Sequence, residues 1–255
     1  MLGPDCCRNP PTVSSREESG EVLQIGSLNS YVSGNLDSKI ALLFGSDAFG
    51  YGAPKLRLAT LTAKGVCDVW LLLDMLRDKR QLADKVASAG YYVVVPDFFH
   101  GDPLTSFNDI ENWLKNHSPE QAVEFAKPVI QALKEKGITK IGAAGFCWGG
   151  GCRASKDAEI QVAAILHPSS VTLDDIKEVK VPLAILSAEF DTQNPPQNIK
   201  EYEAALVANK VDHFVKIYPG VTHGWTTRYN DDDPAEVKSA EEAQQDLVNW
   251  FGKCF

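Results

Sequence analysis

The feature that most constrains the fold is a series of short apolar segments separated by helix-forming segments. The apolar segments are rich in β-branched residues and lack strict polar–apolar alternation. They are Ile40–Phe44, Tyr92–Val95, Lys140–Ala144, Val162–Leu166, Leu183–Leu186 and Phe214–Tyr218. Strands that are buried on both faces of a parallel sheet have this composition. The pattern therefore predicts a set of parallel strands in the middle of a layered domain.

Helical patterns alternate with these strands, at Gln81–Ala89, Asp109–Lys115, Pro119–Lys136, Gln197–Asn209 and Ala235–Phe251. The helix that begins at Pro119 has an N-cap serine, Ser118, and a Gln at the capping-box position, and Gly137 stands where it should end. Alternating β and α units predict an α/β fold: a doubly wound, mostly parallel sheet with helices on both faces. We expect one domain over residues 21–255 after a mobile N-terminal arm at 1–20, which is rich in Pro, Ser, Glu and Gly.

Charge and cysteine content exclude several classes of function. The formal net charge of −9 offers no basic field for a phosphate backbone, so no nucleic-acid partner is expected. The longest apolar stretch, Val69–Leu76, contains Asp74 and is too short to span a membrane. The six cysteines show neither zinc-ligand spacing nor a disulfide framework, and no signal peptide is visible. We therefore expect a cytoplasmic protein without a metal, and the sequence leaves the oligomeric state open.

The candidate nucleophile lies in the glycine-rich segment Gly145–Gly150, with the sequence Gly-Phe-Cys-Trp-Gly-Gly. It directly follows a predicted strand and precedes a segment rich in small residues. This strand–turn–helix context is typical of a nucleophile elbow, here with Cys147 in place of the usual serine. A helix N-terminus at the turn would stabilise a thiolate and a developing oxyanion. The alternative is a buried structural cysteine in a tight turn.

Asp191 and His223 supply the remaining members of a catalytic triad. Both follow β-type segments, and the order nucleophile, acid, histidine is that of the α/β-hydrolases. An acid that orients a histidine base next to a thiol forms a nucleophilic site. Among the other histidines, His167 precedes Pro168 at the end of a strand and is a weaker candidate for lining the cleft. His100, in a loop, is a candidate for contact with the substrate.

The motifs at Cys147, Asp191 and His223 resemble those of the dienelactone hydrolase family. They read Gly-Phe-Cys-Trp-Gly-Gly, Ala-Glu-Phe-Asp at 188–191 and Thr-His-Gly-Trp at 222–225. Residues 3–11 and Tyr91–Pro103 look like the plant cytosolic branch of that family, in which several members carry an endo-glucanase label. The resemblance covers nearly the whole chain. It implies an α/β-hydrolase fold, no cofactor, and a Cys147–His223–Asp191 triad.

The same resemblance implies roles for further residues. The loop Ser46–Gly50 aligns with a family loop whose carboxylate, here Asp47, interacts with the nucleophile. The backbone N–H groups of Ala48 and Trp148 would form the oxyanion hole. Arg228 lies near the family's substrate-carboxylate arginine, at a spacing that differs by one residue; the alternative is a surface arginine facing Asp231–Asp233. Independently of the resemblance, Phe98, Phe99, Trp148 and Trp225 suggest the aromatic walls of a substrate pocket; the alternative for each is a position in the core.

A departure from the family pattern lies between the Ser46–Gly50 loop and the strand at Tyr92. Removal of Leu58–Arg80 would leave one continuous amphipathic helix, so we interpret 58–80 as an insertion next to the oxyanion loop. The predicted function is a cysteine-nucleophile hydrolase of small esters or lactones that acts through a thioester acyl-enzyme. Two alternatives stay open: a β-glucan hydrolase, and a non-catalytic binding protein that retains the fold.

Overall fold

The computed structural model of the protein describes residues 19–51, 80–151 and 159–255. Most of the predicted arm and of the predicted insertion lies outside these ranges. The strands are β1 (Glu21–Ile25), β2 (Leu28–Ser33), β3 (Ile40–Gly45), β4 (Tyr92–Pro96), β5 (Lys140–Phe146), β6 (Val162–Leu166), β7 (Leu183–Phe190) and β8 (His213–Thr222). The helices are α1 (described over 80–87), α2 (Ile110–Asn116), α3 (Pro119–Glu135), α4 (Leu173–Lys177), α5 (Pro196–Ala208) and α6 (Pro234–Cys254), with 3₁₀ turns at Phe107–Asp109 and Cys147–Gly151.

A single eight-stranded sheet, in the order β1-β2-β4-β3-β5-β6-β7-β8, organises the chain. The six strands β3 to β8 run parallel to one another. Strand β2 is antiparallel to both of its neighbours, β1 and β4. Buried side chains pack on both faces of the sheet, which is why the central strands are continuously apolar. The predicted α/β class, with a mostly parallel sheet, is confirmed.

The β1–β2 hairpin is the part of the sheet that the hydrophobic pattern did not predict. Its strands are joined by a two-residue loop, and Gly26 in that loop has a φ of 60°, as the tight hairpin turn requires. β1 carries Glu21 and Gln24 on its exposed positions, so it lacks the continuous apolar character of a central strand. At its start, Ser19 and Gly20 donate backbone hydrogen bonds to Asp84 and to the Tyr31 hydroxyl.

Strands β7 and β8 extend further than predicted, to Phe190 and Thr222. Their pairing continues past a bulge between Ala188 and Phe190, which is why Pro219 and Gly220 do not end the ladder. Asp191 and His223 consequently follow the last residues of their strands directly. The carboxyl ends of neighbouring parallel strands meet at one edge of the sheet, so this extension brings both residues to the edge where Cys147 follows β5.

The helices begin and end close to the predicted residues. Ser118 caps α3 with a capping box, Pro119 occupies its first turn, and Gly137 follows its end with a φ of 87°. α6 packs against the sheet, and the Trp250 indole N–H donates to the Ala163 carbonyl of β6 at 2.9 Å. None of the helices within the described ranges combines the length and apolar character that a membrane span requires.

Candidate active site

Cys147 lies at a strained elbow immediately after β5. Its φ is 52°, in the left-handed region that non-glycine residues rarely adopt. A Cβ added at Gly145 would lie 2.3 Å from the Gly149 carbonyl oxygen, and one added at Gly149 would lie 2.1 Å from the Gly45 carbonyl oxygen. The backbones of β3, β5 and the elbow therefore touch without intervening side chains. Glycine is required at these positions for this close approach, as expected of a nucleophile elbow.

The Cys147 side chain is 2% exposed, and its sulfur lies 3.6 Å from the Ser169 hydroxyl oxygen. The backbone N–H of Ser169 also donates to the Cys147 carbonyl at 3.0 Å. Ser169 belongs to the segment that follows β6, the strand next to β5. The elbow is therefore held from one side by the residue that follows β3, since the Gly149 N–H donates to the Ser46 carbonyl at 3.1 Å, and from the other by the turn after β6.

His223 and Asp191 form a buried pair. The Nδ1 atom of His223 lies 2.8 Å from Asp191 Oδ2, and both side chains are fully enclosed. Because a carboxylate only accepts, Nδ1 is the donor, which leaves Nε2 for chemistry. Asp191 Oδ1 also accepts from the Gln193 backbone N–H at 2.9 Å, so both oxygens of this carboxylate are used. This is the orienting arrangement of a triad acid.

Cys147 acts electrostatically on the His223 imidazole. Burial lowers the pKa of His223, but the Cys147 sulfur and the Asp191 carboxylate outweigh burial and raise that pKa to about 9. The Cys147 sulfur raises this pKa both through its charge and as a hydrogen-bond partner of the imidazole. The raised pKa of His223 is the one that a thiolate–imidazolium pair requires.

Asp47 and Arg228 form a second buried ion pair beside the elbow. Arg228 Nη1 donates to Asp47 Oδ2 at 2.6 Å, and both residues are completely buried. Asp47 Oδ1 accepts from the Phe49 backbone N–H at 2.9 Å, which shapes the loop after β3. The guanidinium also packs on Gly224, next to His223, where a Cβ would lie 2.0 Å from Nη2. Arg228 is thus an interior residue, and the alternative of a surface arginine is wrong.

The two predicted oxyanion-hole residues are buried at the same edge. Ala48 follows Asp47, and its carbonyl accepts from the Leu104 N–H at 2.9 Å. The Ala48 N–H donates to no protein acceptor within the described ranges. The Trp148 indole N–H donates to the His117 carbonyl at 2.9 Å, and the ring lies against Phe99 with centroids 4.7 Å apart. This anchoring fixes the residue that follows the nucleophile.

The remaining predicted contact residues are divided between the core and the surface. Phe99 is 1% exposed and packs edge-to-face on Trp113 and Trp148, and Trp225 is 2% exposed and packs on Tyr218. His100 is exposed, has a φ of 53°, and packs on Phe125 of α3 rather than on the triad. The structure thus groups Phe99 with the Trp148 side of the site and places His100 apart from the triad.

Two site residues had little or no signal in the sequence pattern. His167 is completely buried, its ring centroid lies 5.0 Å from that of His223, and its Nε2 lies 2.8 Å from the Thr226 hydroxyl. Ser169 contacts the Cys147 sulfur itself. Their position directly after β6, at the carboxyl end of the sheet, is the signal that could have identified both. Within the described ranges, no three His, Cys, Asp or Glu side chains are grouped as metal ligands.

Comparison with known proteins gives a consistent relationship. Residues 68–255 match the dienelactone hydrolase family. An endo-1,3;1,4-beta-D-glucanase from Zea mays is 40% identical over 209 residues, which are 79% of this chain and 61% of that protein. The chain thus spans less than two thirds of the maize relative. A carboxymethylenebutenolidase homolog from Homo sapiens is 29% identical over 188 residues, 70% of this chain and 77% of that protein.

Solved structures support the fold. A Klebsiella pneumoniae protein assigned as a dienelactone hydrolase superposes with a TM-score of 0.69 at 17% sequence identity, covering 91% of this chain and 98% of that one. The predicted resemblance to this family and the predicted α/β fold are confirmed. The chain belongs to the dienelactone hydrolase family.

Proposed function

We propose that the protein hydrolyses small carboxylic esters or lactones with Cys147 as the nucleophile, through a thioester acyl-enzyme. The observation that carries this proposal is the strained elbow at Cys147, which stands beside the buried His223–Asp191 pair. Backbone strain at a reactive side chain persists only where the surrounding structure enforces it, and it is concentrated at functional sites. Human and other carboxymethylenebutenolidase homologs among the relatives favour the same substrate class.

Acylation starts from the ion pair of a Cys147 thiolate and a protonated His223, in which the thiol proton already lies on Nε2. The thiolate attacks the ester carbonyl carbon, and the carbonyl electrons move onto the oxygen. The Ala48 and Trp148 N–H groups would stabilise that oxyanion. When the oxyanion collapses, the carbon–oxygen bond to the alcohol breaks, and imidazolium His223 donates its proton to the leaving alkoxide. The product is a thioester on Cys147 and a neutral imidazole.

Deacylation uses the same groups in reverse. Neutral His223 accepts a proton from water, and the hydroxide oxygen bonds to the thioester carbon. The carbon–sulfur bond then breaks, and its electron pair returns to sulfur as a thiolate. Asp191 stabilises the imidazolium at both stages through Nδ1.

Asp47 and Arg228 support the site as a pair. Asp47 shapes the loop that carries Ala48, and Arg228 neutralises the Asp47 charge in a site where an unpaired carboxylate would be costly. Arg228 engages Asp47 through Nη1, and its guanidinium lies against Gly224 beside His223. We place Phe99, Trp148 and Trp225 in the walls of the site and His100 outside it. We propose a cytoplasmic setting, no cofactor, and no nucleic-acid or membrane partner.

The test is turnover of p-nitrophenyl acetate and of a small unsaturated lactone by wild type, Cys147→Ala and Cys254→Ala. Cys254 is the other free cysteine of the described ranges and lies at the end of α6, so it is the matched control. We expect Cys147→Ala to lose at least about 10³-fold in kcat, as expected when a nucleophile is removed, and Cys254→Ala to match wild type. Rapid quenching should show an acyl adduct on Cys147 alone. Equal turnover by Cys147→Ala would refute the proposal.

The β-glucan hydrolase alternative has one specific observation in its favour, the maize relative. A retaining glycosidase needs two available carboxyl groups about 5 Å apart. Here Asp191 is bonded to His223, Asp47 is paired with Arg228, and Glu189 accepts from the Gly220 N–H at 2.8 Å. Each of these three carboxylates is therefore already bonded to another group of the protein. Reducing-sugar release from β-glucan that survives Cys147→Ala would establish this alternative. If no acyl adduct forms on wild type with any ester, the non-catalytic binding protein is favoured.

A further inference from the structure

The turn after β6 contains strained backbone close to the candidate triad. Within His167–Ser170, two of the four residues adopt left-handed backbone: His167 has a φ of 38° and Ser170 a φ of 58°. His167 and Ser169 in this turn are completely buried. Strain of this kind in a buried turn indicates that the surrounding structure holds the side chains of the turn in defined positions. We call this segment the β6 turn.

The β6 turn is tied to both sides of the triad. On one side, the Ser169 N–H donates to the Cys147 carbonyl at 3.0 Å. On the other, Asn194 Nδ2 donates to the Pro168 carbonyl at 2.9 Å, and the Tyr202 hydroxyl, which lies 2.6 Å from Asn194 Oδ1, fixes that amide. Asn194 belongs to the loop that carries Asp191. The turn therefore stands between the nucleophile and the acid, and its position is set by the backbone of both.

Ser169 is the member of this turn that contacts a reacting atom. Its hydroxyl oxygen lies 3.6 Å from the Cys147 sulfur, within the range of a hydrogen bond to sulfur. A neutral thiol can donate in this pair, but a thiolate only accepts, so the serine hydroxyl becomes the donor once the sulfur is charged. Cys147 and Ser169 are both buried, and a hydrogen bond to a charged group is stronger in such surroundings than in water.

We infer that Ser169 is a fourth side chain of the reactive centre, and that its hydroxyl donates a hydrogen bond to the Cys147 sulfur whenever that sulfur carries negative charge. This inference rests on the proposed function of Cys147. The hydroxyl keeps its own proton throughout, because the thiol proton goes to His223. Ser169 acts twice in a turnover: it stabilises the attacking thiolate, and it stabilises the thiolate that leaves when the thioester carbon–sulfur bond breaks.

Other charged and titratable groups face this sulfur and must be held constant in a test. His223 follows β8 with Asp191 behind it, His167 lies in the β6 turn, and the Asp47–Arg228 pair lies beside the elbow. Ser169→Ala removes the hydroxyl and keeps the backbone N–H that bonds Cys147, so all these groups stay in place. Ser187→Ala is the matched control, since Ser187 is equally buried and its hydroxyl has no partner within the described ranges.

The experiment measures the rate of iodoacetamide alkylation of Cys147 against pH, by peptide mass spectrometry, with Cys254 as the reference thiol in each sample. We expect Ser169→Ala to move the pH midpoint upward by about one unit, and to slow alkylation below it about tenfold. Ser187→Ala should superpose on wild type, and Ser169→Thr, which restores a hydroxyl, should return toward wild type. The kcat/KM for the ester should fall with the alkylation rate.

The outcomes separate the two proposals. Superposed profiles for Ser169→Ala and wild type, with Cys147 more reactive than Cys254 in both, would overturn the role of Ser169 and leave the nucleophile intact. Wild-type Cys147 no more reactive than Cys254 at neutral pH would overturn both. A shift shared by Ser187→Ala would show a general loss of packing, which also contradicts the inference. Circular dichroism of each variant at the same pH values confirms that the folded state is compared.

Discussion

At the residue scale, the proton on His223 decides which leaving groups the site can release. The pKa of His223 is raised to about 9 by the Cys147 sulfur and Asp191 against the opposing effect of burial, so the imidazole keeps its proton through neutral pH and loses it as the pH rises through that value. An alkoxide leaving group needs this proton, whereas nitrophenolate leaves without one.

We therefore expect kcat/KM for a simple alkyl ester to fall as the pH rises through about 9, while that for the p-nitrophenyl ester of the same acid stays level. Parallel assays of the two esters across this range are the measurement, with spontaneous hydrolysis subtracted. Identical profiles for the two esters would contradict the assignment of His223 as the acid.

The Asp47–Arg228 pair makes a prediction about stability. Both residues are completely buried, so removing one partner leaves a charge without compensation. Asp47→Asn should lower the free energy of unfolding by about 3–5 kcal/mol, and the double variant Asp47→Asn with Arg228→Met should regain much of that loss. Urea denaturation under reducing conditions measures both. Two independent, additive losses would show that the pair is not coupled.

Sequence patterns identified most of the candidate site but not all of it. Cys147, Asp191 and His223 could be predicted from the sequence because each belongs to a motif and follows a β-type segment. Ser169 could not be predicted, because a serine after a strand resembles any turn residue until the neighbouring strand is known to carry the proposed nucleophile. The pairing of Arg228 with Asp47 joins residues far apart in the chain, and no local pattern records such a contact.

At the element scale, the elbow depends on contact between backbones. A methyl group at Gly149 would lie 2.1 Å from the Gly45 carbonyl oxygen and 2.8 Å from that of Ser46. Gly149→Ala must therefore displace β3 or the elbow, at about 3 kcal/mol, the upper end of the usual overpacking cost. It should also abolish ester turnover.

Gly252→Ala provides the matched control for this prediction. Gly252 lies within α6, and its added methyl group would meet only the Tyr91 hydroxyl at an ordinary 3.7 Å. Alanine is favoured over glycine in a helix, so this variant should gain up to about 1 kcal/mol and keep full activity. Thermal unfolding of both variants gives the comparison. A Gly149→Ala variant as stable and active as Gly252→Ala would contradict the close packing described for the elbow.

Strands could be predicted from the sequence where burial on both faces determined their composition. The central strands β3 to β7 are largely buried on both faces, so composition alone revealed them, whereas β8 lies half-buried at the edge of the sheet. The β1–β2 hairpin was missed because half of β1 faces solvent and its signal is a two-residue turn at Gly26. The ends of β7 and β8 were missed because Pro219 and Gly220 usually end a strand, whereas here a bulge carries the pairing past them.

At the scale of the whole molecule, the protein carries a net charge of −9, and Arg228 in the candidate site is paired with Asp47. An ester that carries a carboxylate should be repelled on approach, and salt should weaken that repulsion, since the screening length falls to about 3 Å at 1 M. We expect kcat/KM for a carboxylate-bearing aryl ester to rise several-fold between low and high NaCl. The neutral ester with the same leaving group should change little. A fall for the charged ester would instead indicate a free cation that attracts it.

The contact of β3, β5 and the elbow through Gly45, Gly145 and Gly149 also has an evolutionary consequence. The turn that carries the sulfur is held mainly by main chain lying on main chain, so its shape depends little on replaceable side chains. The pocket walls that we propose, such as Phe99 and Trp225, are side chains and can be exchanged one at a time. Substrate range and intrinsic reactivity are thus encoded by separate parts of the chain. A lineage, or a directed-evolution library, can sample new acyl groups without rebuilding the centre that attacks them.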